Sequence, residues 1–197
     1  KKNDTVLKKM GKKYMRQHEV NKAEAMYKVP DMFRLEGKLG LVKVQMINTG
    51  NKRIFRVPSL RITKREDISK ELYRKQTCLD IGLLCESAWV DFNAKYIKTD
   101  QLSTGPAYLI DFVRKWENPK TFRTWIDKKT LRILRIEKKD PTGKIEAIFV
   151  FPEAKNIGGV VWAPTRVELR APNGEIAGIT QLINMKVNSG LSDKLFQ

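Results

Sequence analysis

Few residues in this chain have the types and spacing that catalysis requires. Its one histidine, His18, lies between Gln17 and Glu19, so a histidine-dependent triad could be assembled only around it, and in so polar a run it reads as a surface residue. Cys78 and Cys85 are separated by six residues, which is no zinc motif, and His18 cannot complete one. On a helix they would stand about two turns apart, too far to bridge, which predicts two buried free thiols. Asp111, Asp127 and Asp140 fall on an alternating strand or in turns, and nothing selects the pair of carboxylates that glycoside hydrolysis uses. Gly158-Gly159 precedes a strand pattern rather than a helix, so it is no phosphate cradle. These residues predict a protein that is not an enzyme, with no cofactor and no metal.

The elements that would position any site are mostly strands. Thr121–Ile126 and Leu131–Glu137 flank the polar turn Asp127-Lys128-Lys129-Thr130, the pattern of a β-hairpin. At Asp140-Pro-Thr-Gly143, Pro presets φ and Gly supplies a positive φ, so Lys144–Phe151 can return as a third strand. Earlier in the chain, Lys22–Tyr27 and Met32–Gly37 are strands around Pro30, and Leu41–Ile47 and Arg53–Val57 around Asn48–Asn51. Lys95–Thr99, Ala107–Val113, Val160–Ala163, Arg166–Arg170 and Glu175–Val187 complete the strand set, and the tail Leu191–Phe196 is expected to anchor Leu195 and Phe196. Asp4 can cap a helix over Thr5–Met15, although Lys12–Val20 also reads as a strand. Between about 68 and 93 the period of two is lost. There Asp80 and Ser87 are plausible caps for short helices. About ten strands with one helical insert predict an α+β domain whose antiparallel sheet curls strongly into a barrel or half barrel. At 197 residues the whole chain, 1–197, is expected to form one domain.

Composition narrows the function classes. A hydrophobic share of 41% against 31% charged argues against global disorder. No run of about 18 apolar residues exists to make a membrane-spanning helix. The chain opens on Lys-Lys without an apolar segment, as a cytosolic protein or a secreted one stripped of its signal peptide would. Lys and Arg number 39 against 22 Asp and Glu, a net charge of +17 that would attract polyanions. Yet the cations often alternate with apolar residues, as in Leu131-Arg-Ile-Leu-Arg-Ile136, which favours the wet face of half-buried strands over a nucleic-acid site. The apolar inventory is ample. Trp89, Trp116, Trp125 and Trp162, with eight Phe and six Met, are spread over nearly every strand and the insert. Most must be core, but a concave sheet under a helical cover can also leave an apolar cavity for acyl chains. Phe33, Leu35, Val44, Met46, Phe55, Trp89 and Trp125 are the candidates for its wall.

Several motifs carry a family resemblance over Tyr27 to the C-terminus. Tyr27-Lys-Val-Pro-Asp-Met-Phe-Arg34 resembles the K-x-P-x-x-F-R strand junction of the LolA/LolB-like lipoprotein carriers and sorting proteins of the bacterial envelope. Trp125-Ile-Asp-Lys-Lys-Thr130, Leu134-Arg-Ile-Glu137 and Gly143-Lys144 are similar to that family's central meander. Val161-Trp-Ala-Pro-Thr-Arg166, Met185-Lys-Val-Asn188, Gly190-Leu191 and Leu195-Phe196 are similar to its C-terminal half. Val29 stands where the dedicated carriers place an Arg. The resemblance implies an incomplete antiparallel barrel with a helical lid, and a cavity for lipoprotein acyl chains. It also implies a secreted precursor and a periplasmic or envelope location.

Two readings follow. In the first, the chain binds lipid or lipoprotein acyl chains in outer-membrane lipoprotein sorting, with an anionic membrane surface or an envelope protein as further partner. In the second, a basic polyanion- or protein-interaction module, such as an envelope-stress sensor, uses the same fold. Nucleic acid is the less expected partner.

Overall fold

In the computed structural model, which describes residues 1–115 and 119–197, twelve strands form two antiparallel sheets. Trp116 lies outside the described residues. The first sheet holds β1 (Val20–Lys28), β2 (Met32–Leu39), β3 (Val42–Thr49), β4 (Lys52–Val57) and β5 (Ile62–Asp67) in sequential order. The second runs in order from β6 (Phe92–Leu102) and β7 (Gly105–Arg114) through β8 (Thr121–Asp127), β9 (Ile133–Lys139), β10 (Ile145–Ile157) and β11 (Val161–Arg170) to β12 (Ile176–Gln181). The single curled sheet expected from strand count is therefore replaced by two open meanders, with no strongly curled or closed sheet among the described residues. The physical reason lies between β5 and β6. The segment 68–91 makes no ladder with either sheet, so the hydrogen-bonded order breaks there.

That insert is less helical than its sequence spacing indicates. It consists of two 3-10 turns, Leu72–Arg74 and Cys78–Ile81, and one short helix, α3 (Ser87–Asp91). Asp80 is not a cap but the third residue of its turn, accepting from the backbone N–H and hydroxyl of Thr77, both at 2.9 Å. The cap of α3 is Glu86 rather than Ser87. The N-terminal helix also differs. Asn3 caps α1 (Asp4–Met10), Gly11 at φ +104 ends it, and a separate α2 (Lys12–Gln17) follows, which settles the ambiguity at Lys12–Val20.

Three apolar clusters hold these layers. On one face of the seven-stranded sheet, Phe112, Phe122, Ile126, Ile136 and Phe151 pack with Cys78, Leu79 and Ala88 of the insert. Phe92 stacks edge-on against Phe112 and Phe122, with ring centroids 6.2 and 5.2 Å apart. Farther along this sheet, Val6, Leu7 and Tyr14 of α1 and α2 pack on Ala147, Leu169, Ala171 and Ala177. The five-stranded sheet has its own cluster, in which Ile47 and Ile54 meet Phe196 of the C-terminal 3-10 turn Asp193–Phe196. The expected anchoring by the tail is thus present, reinforced by Arg34, which donates to the Leu195 carbonyl at 2.7 Å. The opposite face of the seven-stranded sheet carries the alternating charges as ion pairs. Arg123 grips Asp111 through two 2.9 Å hydrogen bonds, and Glu168 accepts from Arg166 at 2.8 Å and Arg170 at 2.6 Å.

Candidate functional site

The insert joins the two sheets, but by unequal attachments. Toward the seven-stranded sheet, Asp80 accepts from Lys138 of β9 at 2.5 Å and approaches Arg114 of β7 at 3.5 Å. Arg114 also donates to the Tyr73 carbonyl at 3.0 Å. Both cations lie over aromatic rings: Arg114 over Phe92 and Phe122 at 5.5 and 5.3 Å, Lys138 over Phe122 and Phe149 at 4.7 and 5.0 Å. Burial alone would raise the Asp80 carboxyl, but Lys138 and then Arg114 override it and hold the group well below the usual carboxylate range. Asp80 is therefore a fixed anion in a dry setting, where losing one partner is far costlier than losing a surface pair.

Toward the five-stranded sheet the contacts are lighter. The Tyr27 hydroxyl of β1 donates to the Pro30 carbonyl at 2.8 Å and lies 3.0 Å from the Ser87 hydroxyl. Asn48 donates to the Arg74 carbonyl at 3.3 Å, Lys75 reaches Asp31 at 3.4 Å, and Arg74 pairs with Glu66 of β5. The Lys75–Asp31 and Arg74–Glu66 pairs are partly solvated ion pairs, of the class worth about 0–1 kcal/mol each, whereas Asn48 is itself buried.

Beside these contacts lies the face on which most of the predicted wall residues converge. The register aligns Leu35 with Met46 and Met46 with Phe55, and sets Val44 opposite Gly37 and Phe33 opposite Asn48. Alternation along each strand then puts Phe33, Leu35, Val44, Met46 and Phe55 on one face, the other being that of Ile47, Ile54 and the C-terminal turn. Phe33 is buried, Leu35, Val44 and Met46 are half-buried, and Phe55 is 41% exposed. Ile62, opposite Val57, continues the same face at 48% exposed. The cationic groups on this face are Arg53, donating to the Met46 sulfur at 3.3 Å, and Lys64, paired with Glu66 at 2.7 Å.

The two tryptophans lie elsewhere. Trp89 rides on α3, its ring 5.6 Å from that of Phe112 and half-exposed at the insert's rim. Trp125 occupies the charged outer face of the seven-stranded sheet, where it donates to Asp100 at 3.0 Å beneath Arg135 at 5.2 Å. The apolar face is open to solvent at Phe55 and Ile62. Two open depressions lie away from it, about 430 Å³ beside Asp127, Thr130 and Trp162, and about 560 Å³ beside Tyr14 and Glu146.

The residues weighed for chemistry have local structural duties. Asp127 accepts from the N–H groups of Lys129 and Thr130, and Asp140 from those of Thr142 and Lys144, so both carboxylates shape turns. His18 is half-buried rather than on the surface. Its ring meets the Tyr14 carbonyl at 3.2 Å and fills the space that a Cβ on Gly178 would occupy. Sequence reasoning missed the role of Asp80, whose partners lie 34 and 58 residues away. The Thr77-x-x-Asp80 spacing, a variant of the capping box, was the local signal that it belongs inside a turn.

No family model matches this chain, and no curated protein matches it. Solved structures do. A LolA superfamily protein from Nitrosomonas europaea is 14% identical, with a TM-score of 0.57 over 100% of this chain and 98% of that one. A DUF1329 family protein from Desulfovibrio piger is 15% identical, with a TM-score of 0.57 over 84% and 81%. A domain described as an outer membrane lipoprotein-sorting protein domain, from Vibrio parahaemolyticus, is 12% identical with a TM-score of 0.50 over 80% and 79%. The chain therefore has a LolA-like fold, the class of architecture that its motifs resemble.

Proposed function

We propose that this chain is a non-enzymatic binding protein of the bacterial envelope that holds lipid or lipoprotein acyl chains, in the manner of a lipoprotein-sorting carrier. The carrying observation is the convergence of Phe33, Leu35, Val44, Met46 and Phe55 on one half-open face of the five-stranded sheet, beside the insert. A continuous apolar face without a full cover is what a greasy guest requires, and a flexible methionine adapts to chains of differing shape. The insert is the movable cover, with Trp89 at its rim. It parts from the five-stranded sheet, where Tyr27, Asn48 and Asp31 hold it by exposed or half-buried contacts, and stays with the seven-stranded sheet through Asp80. In this reading the whole chain acts as one unit, reaches the periplasm as a secreted precursor, and has no catalytic set to use. The likeness of fold to a LolA superfamily protein supports the class, and Arg53 and Lys64 suit an anionic headgroup beside the acyl chain.

Native mass spectrometry of the purified protein, with displacement of a fluorescent fatty acid, tests this directly. Bound lipid, or saturable displacement lost in Met46→Asp, is expected. An empty protein that neither binds nor releases the probe would end the reading. Binding to anionic vesicles or to nucleic acid that falls steeply with salt, and is unchanged in Met46→Asp, would favour the polyanion module instead.

A further inference from the structure

The stretch Thr77–Ser87 brings together two thiols, Cys78 and Cys85, that the lipid-binding reading does not use. Cys78 opens a 3-10 turn, and Gly82 at φ +74 then reverses the chain, with Leu83 donating back to the Cys78 carbonyl at 3.0 Å. A Cβ at Gly82 would sit 2.4 Å from the Phe151 ring, so both backbone angle and space demand glycine here. This reversal overturns the two-turn separation expected on a helix. The Cys78 sulfur lies 4.0 Å from the Cys85 carbonyl oxygen and 3.9 Å from the Ser87 hydroxyl, itself 3.2 Å from the Cys85 sulfur. The Ser87 hydroxyl thus stands between the two sulfurs, and Tyr27 of β1 closes the cluster through Ser87 at 3.0 Å.

The pair is asymmetric. Both thiols are free, but Cys78 is fully buried whereas Cys85 is only half-buried. The neighbouring Cys78 thiol brings the Cys85 thiol down to about 6 against the opposing effect of burial, with Ser87 and Tyr27 adding to it. The proximity of Cys85, with burial, pushes the Cys78 thiol up. A half-buried, easily ionised thiol beside a buried, proton-bearing one is the division of labour found in redox dithiols.

We propose that Cys78 and Cys85 form a reversible dithiol–disulfide site, with Cys85 as the attacking thiolate and Cys78 as the resolving thiol. The oxidant is a disulfide, either small-molecule or carried by a thiol oxidoreductase. The Cys85 thiolate attacks one sulfur of that disulfide, forming a mixed disulfide and expelling one thiolate. Cys78 then gives up its proton and attacks the Cys85 sulfur, expelling the second thiolate. Two electrons and two protons pass to the oxidant, and one intrachain S–S bond forms. The closed loop contains Asp80, so oxidation fastens the turn that anchors the insert to the seven-stranded sheet.

The test equilibrates the full chain in glutathione buffers of stepped redox ratio, followed by acid quench, alkylation of remaining thiols and peptide mass spectrometry. Loss of both thiols together, with one Cys78–Cys85 crosslink and no bound glutathione, is expected. Cys78→Ser should accumulate a Cys85–glutathione adduct, whereas Cys85→Ser should stay unmodified. Alkylation of Cys85 should be half-maximal below pH 7 and move toward the ordinary thiol range in Ser87→Ala. The titratable groups facing Cys85 are Cys78 and Tyr27, with Asp91 of α3 acting on Tyr27. Two thiols persisting at ratios that oxidise a control dithiol, adducts on both cysteines, or a crosslink between molecules would each overturn the proposal. The wild-type measurement stands even if a variant fails to fold.

Discussion

The two sheets treat their apolar faces differently. The seven-stranded sheet buries the central part of one face under α1, α2 and the insert, and pins the insert with a buried carboxylate between two cations. Its other face is tied up in ion pairs. The five-stranded sheet has one face closed by Phe196 and the other left half-dry, with Phe55 and Ile62 reaching solvent. One sheet is a scaffold spending its side chains on rigidity. The other withholds part of its packing, and that half-open face is the one on which the proposed lipid site rests.

Substitutions can separate these roles. The largest loss should come from Asp80→Asn, which takes the carboxylate charge away from Lys138 and Arg114 in a dry setting and should cost about 3–5 kcal/mol in denaturant unfolding. The sign with pH follows from the lowered Asp80 carboxyl. Its stabilising contribution is full above the ordinary carboxylate value of about 3.9 and is lost as pH falls toward the lower folded value, so acid unfolding should be shallower in Asp80→Asn. Next, Phe112→Ala, which empties a fully buried site, should cost about 3–5 kcal/mol, a loss readable as a lowered thermal midpoint. Phe196→Ala should cost about 3 kcal/mol and, unlike Phe112→Ala, raise the binding of a hydrophobic dye by baring Ile47 and Ile54. The smallest effect belongs to the half-open face. Phe55→Ala should shift stability by less than about 1 kcal/mol while weakening fatty-acid displacement several-fold. If Phe55→Ala destabilises as much as Phe112→Ala, the face is core rather than site, and the contrast between the sheets fails.

Legibility in sequence followed the same divide. The meander β8–β9–β10 was readable as far as Phe151 because one face is buried up to there, so apolar residues alternate and Pro141 and Gly143 mark the turn, whereas β10 runs on, largely exposed, to Ile157. β5 escaped notice because Ile62-Thr-Lys-Arg-Glu-Asp67 is an edge strand with both faces wet, leaving a single apolar residue to signal it. The last strand was expected to run to Val187 but ends at Gln181, since its pairing with β11 stops at Arg166. Leu182 and Ile183 prolong the apolar pattern beyond the ladder, Leu182 still donating to the Thr165 carbonyl at 2.8 Å and Ile183 standing 77% exposed. That Phe33, Leu35, Val44, Met46 and Phe55 share one face could be read from alternation alone. The place of Trp125 could not, because its size invited a cavity role while its strand position directs it to the outer face.

The closure of the five-stranded sheet has a consequence in time as well as in space. Arg34 and the Leu195 carbonyl it holds are 161 residues apart, and Lys28 reaches the Leu191 carbonyl across 163. During synthesis, β1–β5 emerge long before the segment that covers Ile47 and Ile54, so the nascent chain carries a bare greasy surface through most of its production. Such a chain gains from a holding chaperone until residue 196 arrives, and its early strands are where premature self-association would begin.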